Sequence, residues 1–137
     1  MNCSYVRDLL KQNTQLEISK YFCGKLDAKY EKSICVYDLQ DEVRRNIAVG
    51  GEENTTKIKK FSIFIHWNKN YTETEEASQK IYDYLTNCNH MTYNNIDINY
   101  IEMFNDHPID LHCGEDGIYE RLFDIKIYYK NIQNKEN

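Results

Sequence analysis

FSIFIHWNKNYTETEEASQKIYDYL, residues Phe61 to Leu85, changes its period halfway along. In the first seven residues, Phe61, Ile63, Ile65 and Trp67 fall on one side of an extended chain. Ser62, Phe64 and His66 fall on the other. Each side carries aromatic or bulky residues, which predicts a central strand covered on one face and partly covered on the other. Asn68 to Tyr71 breaks that alternation. Thr72-Glu-Thr-Glu75 then fits a capping box, and Glu73, Glu75 and Glu76 suit the positive end of a helix dipole. Ala77, Ile81, Tyr84, Leu85 and Cys88 recur at helical spacing, which predicts a helix from about Glu73 to Asn87.

Other elements extend from this unit in both directions. On the amino-terminal side, Val6, Leu9 and Leu10, joined by Tyr5, predict a short helix capped by Ser4 and running to about Gln12 or Gln15. Tyr21–Leu26 and Ser33–Leu39 read as short strands divided by the polar stretch 27–32. Residues 41–49 read as irregular or strand-like, and Gly50 to Thr56 has the composition of a loop. On the carboxy-terminal side, Asn95 to Phe104 reads as a strand with Ile96, Ile98, Tyr100 and Phe104 on one side. Asn105 to Gly117 reads as a long loop ending in the turn signal Asp116-Gly117. Ile118 to Tyr129 predicts a long strand. Tyr119, Phe123, Ile125, Ile127 and Tyr129 point one way, and Glu120, Asp124 and Lys126 the other. Two helices cannot cover both faces of such a sheet. The expected fold class is therefore α+β, a mainly antiparallel sheet with two principal helices on one face and an open, partly apolar surface on the other. Residues 1–130 are expected to form one domain and 131–137 a polar tail.

Bulk properties narrow the function. The chain has 137 residues, enough for a core without a metal or disulfide, and 41% of them are hydrophobic. The net charge is −5. The longest basic run is Lys57-Ile-Lys59-Lys60, so the footprint of a sequence-specific nucleic-acid binder is missing. No apolar run approaches a membrane span or a signal-peptide core. Cys3, Cys23, Cys35, Cys88 and Cys113 are widely spaced and odd in number. They are expected to be reduced and mostly buried. Tyrosine is abundant, and its apolar ring with a polar tip suits subunit interfaces.

A search for chemistry finds no catalytic set. His107, His112 and Cys113, with Asp106 and Asp110 beside them, are zinc-type ligands, but their spacing fits no common zinc pattern. His112 and Cys113 are adjacent, and adjacent side chains on an extended chain point apart. His66 and His90 are expected to be structural. Gly50-Gly51 precedes Glu52 and Glu53, the wrong charge for a phosphate cradle. No catalytic, cofactor-binding or metal-binding residue is assigned and no cofactor is expected. A small metal-dependent enzyme or binding module using His107, His112 and Cys113 is the alternative from a different class.

Three features resemble the tail terminator, or tail-completion, proteins of long-tailed bacteriophages, often labelled minor capsid proteins. A glycine pair, Gly50-Gly51, precedes a strand ending in Trp67-x-Lys69-x-Tyr71. An acidic-capped helix follows. A loop led by Pro108 then closes on Gly114, Asp116, Gly117 and Tyr119, before a last strand of alternating aromatics. The likeness covers most of Ile47 to Tyr129 and, more weakly, the amino-terminal elements. His112-Cys113 departs from the simpler residues expected in that loop. The resemblance implies a non-enzymatic structural assembly protein of a phage or phage-tail-like particle, placed in the virion tail or neck and assembled in the bacterial host cytoplasm. It would form a homo-oligomeric, commonly hexameric ring on the tail tube protein, stop tube polymerisation, and join the head–tail connector protein. The tail sheath is a further contact on this reading, and DNA passes through the channel without sequence-specific binding. A head–neck connector ring is the related alternative. The expected contact residues lie in and beside two loops: Gly50, Gly51, Glu52, Glu53 and Lys57, then His107, Pro108, His112 and Asp116, with Tyr71 and Tyr119 next to them.

Overall fold

The protein is described here from a computed structural model that covers residues 1–13, 15–40 and 56–132. Helix α1 (Cys3–Asn13) is followed by strands β1 (Lys20–Cys23), β2 (Ser33–Asp38) and β3 (Lys57–His66) and helix α2 (Tyr71–Thr86). Strands β4 (Met91–Tyr93), β5 (Ile96–Met103), β6 (Ile109–Cys113) and β7 (Tyr119–Asn131) complete the chain. Among the described residues they form a seven-stranded sheet in the order β1-β2-β3-β7-β5-β4, with β6 also paired to β7. The pairing is antiparallel except between β1 and β2. The fold is α+β, with both helices packed into one core.

That core follows the predicted alternation. Ile34 and Val36 stand opposite Ile65 and Ile63, while Phe61 and Ile63 stand opposite Ile125 and Phe123. All seven are buried in one cluster with Val6, Leu9 and Leu10 of α1 and Ala77, Ile81 and Leu85 of α2. Each fully buried aliphatic or aromatic side chain contributes about 1.5–3 kcal/mol relative to exposure. Here the two short helices gain the tertiary support that neither has alone. Tyr82 packs edge-on against Phe123, with ring centroids 5.2 Å apart.

Both helix caps differ from the expectation. Asn2, not Ser4, opens α1, because its Oδ1 accepts the Ser4 N–H at 2.9 Å. Asn70, not Thr72, opens α2, accepting the Glu73 N–H at 3.0 Å. In each case an asparagine in front of the expected cap satisfies an early free amide, and the helix starts sooner. Thr74 is buried inside the first turn of α2, and its hydroxyl donates to the Asn70 carbonyl at 2.8 Å.

Several strand boundaries also moved. β1 stops at Cys23 because Gly24 adopts φ +81°, a left-handed conformation that turns the chain away. β4 was not expected. It pairs with β5 across Asn94-Asn95, whose φ values of 51° and 64° match a two-residue hairpin of type I′. In β5 the register shifts between Ile98 and Tyr100, so the alternation flips. Ile101 is therefore buried, while Tyr100 and Phe104 are exposed on the opposite face from Ile96 and Ile98. The segment read as one long loop contains β6, whose Ile109 and Asp110 pair with Leu122 and Arg121. β7 extends through Lys130 and Asn131, which pair with Asp97 and Ile96, two residues beyond the expected strand end at Tyr129. The readings of 41–49 and of Gly50 to Thr55 lie outside the described residues.

The cysteines also depart from a fully reduced set. Cys3 and Cys23 form a disulfide that ties α1 to β1. Cys35 and Cys88 are buried thiols, and burial pushes both upward in pKa; Cys113 is exposed. No described helix is long and apolar enough to cross a membrane.

Candidate functional site

The face of the sheet away from the helices is only partly open. The 24–32 connection covers one end. His66 is buried there, with Nδ1 2.7 Å from Glu120 Oε2 and Nε2 2.9 Å from the Ala28 carbonyl oxygen. The histidine thus fastens the connection to β3 and β7, a structural role as expected. Towards the other end, Tyr100 and Tyr128 stack with centroids 4.4 Å apart. The Tyr128 hydroxyl donates to Glu102 at 2.9 Å. Burial first, then Tyr100 and Glu102, pushes the Tyr128 phenol well above its ordinary value. Lys60 and Lys126 hold their ammonium groups 5.7 and 5.5 Å from the Phe104 ring centre. These aromatics are thus partly covered by lysine stems.

The corner where the β6–β7 hairpin meets the start of α2 is different. Trp67 donates its N–H to the Tyr119 carbonyl at 3.0 Å, and Tyr119 donates to the Asn68 carbonyl at 2.8 Å. These bonds fix the end of β3 to the start of β7, so the first residue of α2 sits over the hairpin. The Tyr71 ring meets the Tyr119 ring edge-on, 5.4 Å between centroids. The Arg121 guanidinium lies 5.1 Å from the Tyr71 ring centre. Arg121 is 6% exposed, yet its Nε and one terminal nitrogen have no hydrogen-bond partner among the described residues. Its nearest anion is Asp110, 3.8 Å from Nε. A buried guanidinium so poorly matched is costly for the isolated chain.

Asp110 also receives the His112 backbone N–H at 2.7 Å, and the His112 ring lies 3.6 Å from its other oxygen. His112 takes φ 63°, where the β6–β7 register shifts, so the strand is kinked beside its exposed Leu111. The hairpin closes through the Gly117 N–H bond to the Gly114 carbonyl, with Gly117 at φ 78°. The Asp116 carboxylate accepts the Ile118 N–H at 3.0 Å. The expected Asp-Gly turn is therefore present.

Of the expected contact residues, Tyr71, His112, Asp116 and Tyr119 belong to this corner and hairpin. His107 and Pro108 lead into it, His107 exposed and Pro108 buried. Lys57 does not join them. It pairs with Tyr129 at the other end of β7, about 30 Å of strand away at roughly 3.3 Å per residue. Gly50, Gly51, Glu52 and Glu53 lie outside the described residues. Arg121 and Asp110 were not among the expected contacts. Arg121 shares the inward parity of Phe123, a signal present in the sequence. Ile109 and Leu111 flank Asp110 as an apolar–polar–apolar triplet, the pattern of a strand.

Among the described residues no group of three or more His, Cys, Asp or Glu side chains could hold a metal ion. His107, His112 and Cys113 are not gathered into one. The hairpin instead presents Ile109 and Leu111, each 40% exposed, and Ile109, paired with Leu122, faces away from Arg121 and Tyr71. A family model described as bacteriophage tail terminator protein matches residues 9–131 of the chain. Comparison with curated proteins gave no match.

Proposed function

The chain belongs to the bacteriophage tail terminator family, and from that premise we propose that it is a non-catalytic subunit of a ring that caps a tail tube. The ring, hexameric on this reading, seats on the last layer of tube protein, stops polymerisation and gives the head connector its joint. It works in the tail or neck of the virion after assembly in the bacterial host cytoplasm.

Beyond family membership, the observation that supports this reading most is the exposed β6 margin. β6 pairs with β7 alone among the described residues, and it carries Ile109 and Leu111 into solvent. Unpaired apolar strand edges are sticky, and an isolated protein would normally blunt one more fully. A ring of identical copies uses such surfaces, because each copy must offer neighbours two complementary patches. The net charge of −5 fits a channel that lets DNA pass without binding.

The test is electron microscopy of particles assembled without this chain. The expected result is tails of uncontrolled length, or tails that fail to join heads. Tails of normal length joined to heads would overturn the reading.

A further inference from the structure

The two margins of the sheet carry opposite charge. β1 stands at one end of the strand order, and the β6–β7 hairpin flanks β7 on the other side. Residues 105–116 contain Asp106, Asp110, Glu115 and Asp116 with no lysine or arginine. Residues 20–32 carry Lys20, Lys25, Lys29 and Lys32 against Asp27 and Glu31. Lys20, Lys25 and Lys29 are exposed. The ammonium groups of Lys20 and Lys29 each lie 5.1 Å from the Tyr30 ring centre, which holds positive charge at that margin.

We propose that the acidic β6–β7 hairpin of one copy docks against the lysine-bearing 20–32 margin of a second copy, head to tail. The inference rests on the tail-terminator reading and names the contact surface between copies. Ile109 and Leu111 form its apolar centre. Asp106 and Glu115, both exposed, face the lysines at its rim. The outward backbone of β6 accepts an extended segment, and the bulge at His112 limits that pairing to the Ile109 end. The two patches differ, so every copy uses one on each side. That is the heterologous arrangement from which rings close. Complementary rim charges set the register and speed the encounter, and reversing one set places like charges together.

The experiment measures the native mass and sedimentation equilibrium of the full chain at low and moderate salt. Three variants accompany it: Lys25→Glu with Lys29→Glu, Asp106→Lys with Glu115→Lys, and all four together. Circular dichroism checks that each stays folded. Each double reversal is expected to raise the dissociation constant about tenfold or more, with the larger effect at low salt. The fourfold swap restores opposite charges and is expected to return the constant close to that of the natural chain. Folded variants that all assemble like the natural chain would overturn this interface and leave the tail-capping reading standing. A natural chain that stays monomeric throughout would also overturn it. The length of tails assembled without the chain tests the capping reading separately.

Discussion

Phe123 and Arg121 sit two positions apart on the same face of β7, and their surroundings could hardly differ more. Phe123 is fully buried among Phe61, Ile63, Ile81 and Leu85, with the Tyr82 ring edge-on against it. Arg121 is nearly as buried, but two of its nitrogens lack hydrogen-bond partners among the described residues. Along this short length of strand the protein passes from a region complete in itself to one whose polar groups are left unmatched. The interior under α2 needs only this chain. The hairpin corner gathers residue types common at interface centres, an arginine and two tyrosines, and the same hairpin exposes Ile109 and Leu111.

The contrast can be broken by substitution. Phe123→Ala should have the largest effect, a loss of about 3–5 kcal/mol in denaturant unfolding. A loss below about 1 kcal/mol would mean that the region under α2 is not the packed core described. Next comes the staple between α1 and β1. Replacing Cys3 and Cys23 together by serine removes a link closing a separation of 20 residues. It should cost about 3 kcal/mol, and adding reductant to the natural chain should reproduce that loss. Equal stability with and without reductant would show that the core does not depend on the link.

Asn70→Ala is a finer probe. It should cost about 1 kcal/mol through loss of the α2 cap, whereas Thr72→Ala should change stability by less than about 0.5 kcal/mol. The reverse order would restore the capping box as the true start of the helix. The smallest effect on stability is expected at the corner. Arg121→Met removes a buried, poorly matched charge and should leave stability within about 1 kcal/mol or raise it. A loss above about 3 kcal/mol would show that Arg121 is satisfied within the single chain, and the two regions would no longer differ in kind.

Much of the scaffold was legible before any coordinates. Period two in Phe61–Trp67 and Phe123–Tyr129, and period 3.6 in Ala77–Cys88, are statements about which side chains must leave water together. The sheet and helices obeyed them. Cap residues were less legible, because Asn2 competes with Ser4 and Asn70 with Thr72. Short-range chemistry allows either of each pair, and the docking of the helix decides between them. The reversal of alternation at Tyr100 was not readable, since a bulge depends on the hydrogen-bond register with β7. β6 was hidden by turn-forming neighbours, although Ile109-Asp110-Leu111 carried its pattern.

The sequence by itself determined the α+β class, the helix-covered core and the Asp-Gly turn, because burial and local backbone preference act over a few residues. Only the tertiary structure decided that Tyr71, Tyr119, Arg121 and Asp110 share one corner, and that Cys3 meets Cys23. It also decided that acidic and lysine-bearing segments occupy opposite margins. Those outcomes depend on strand order and register, which join residues far apart in the chain.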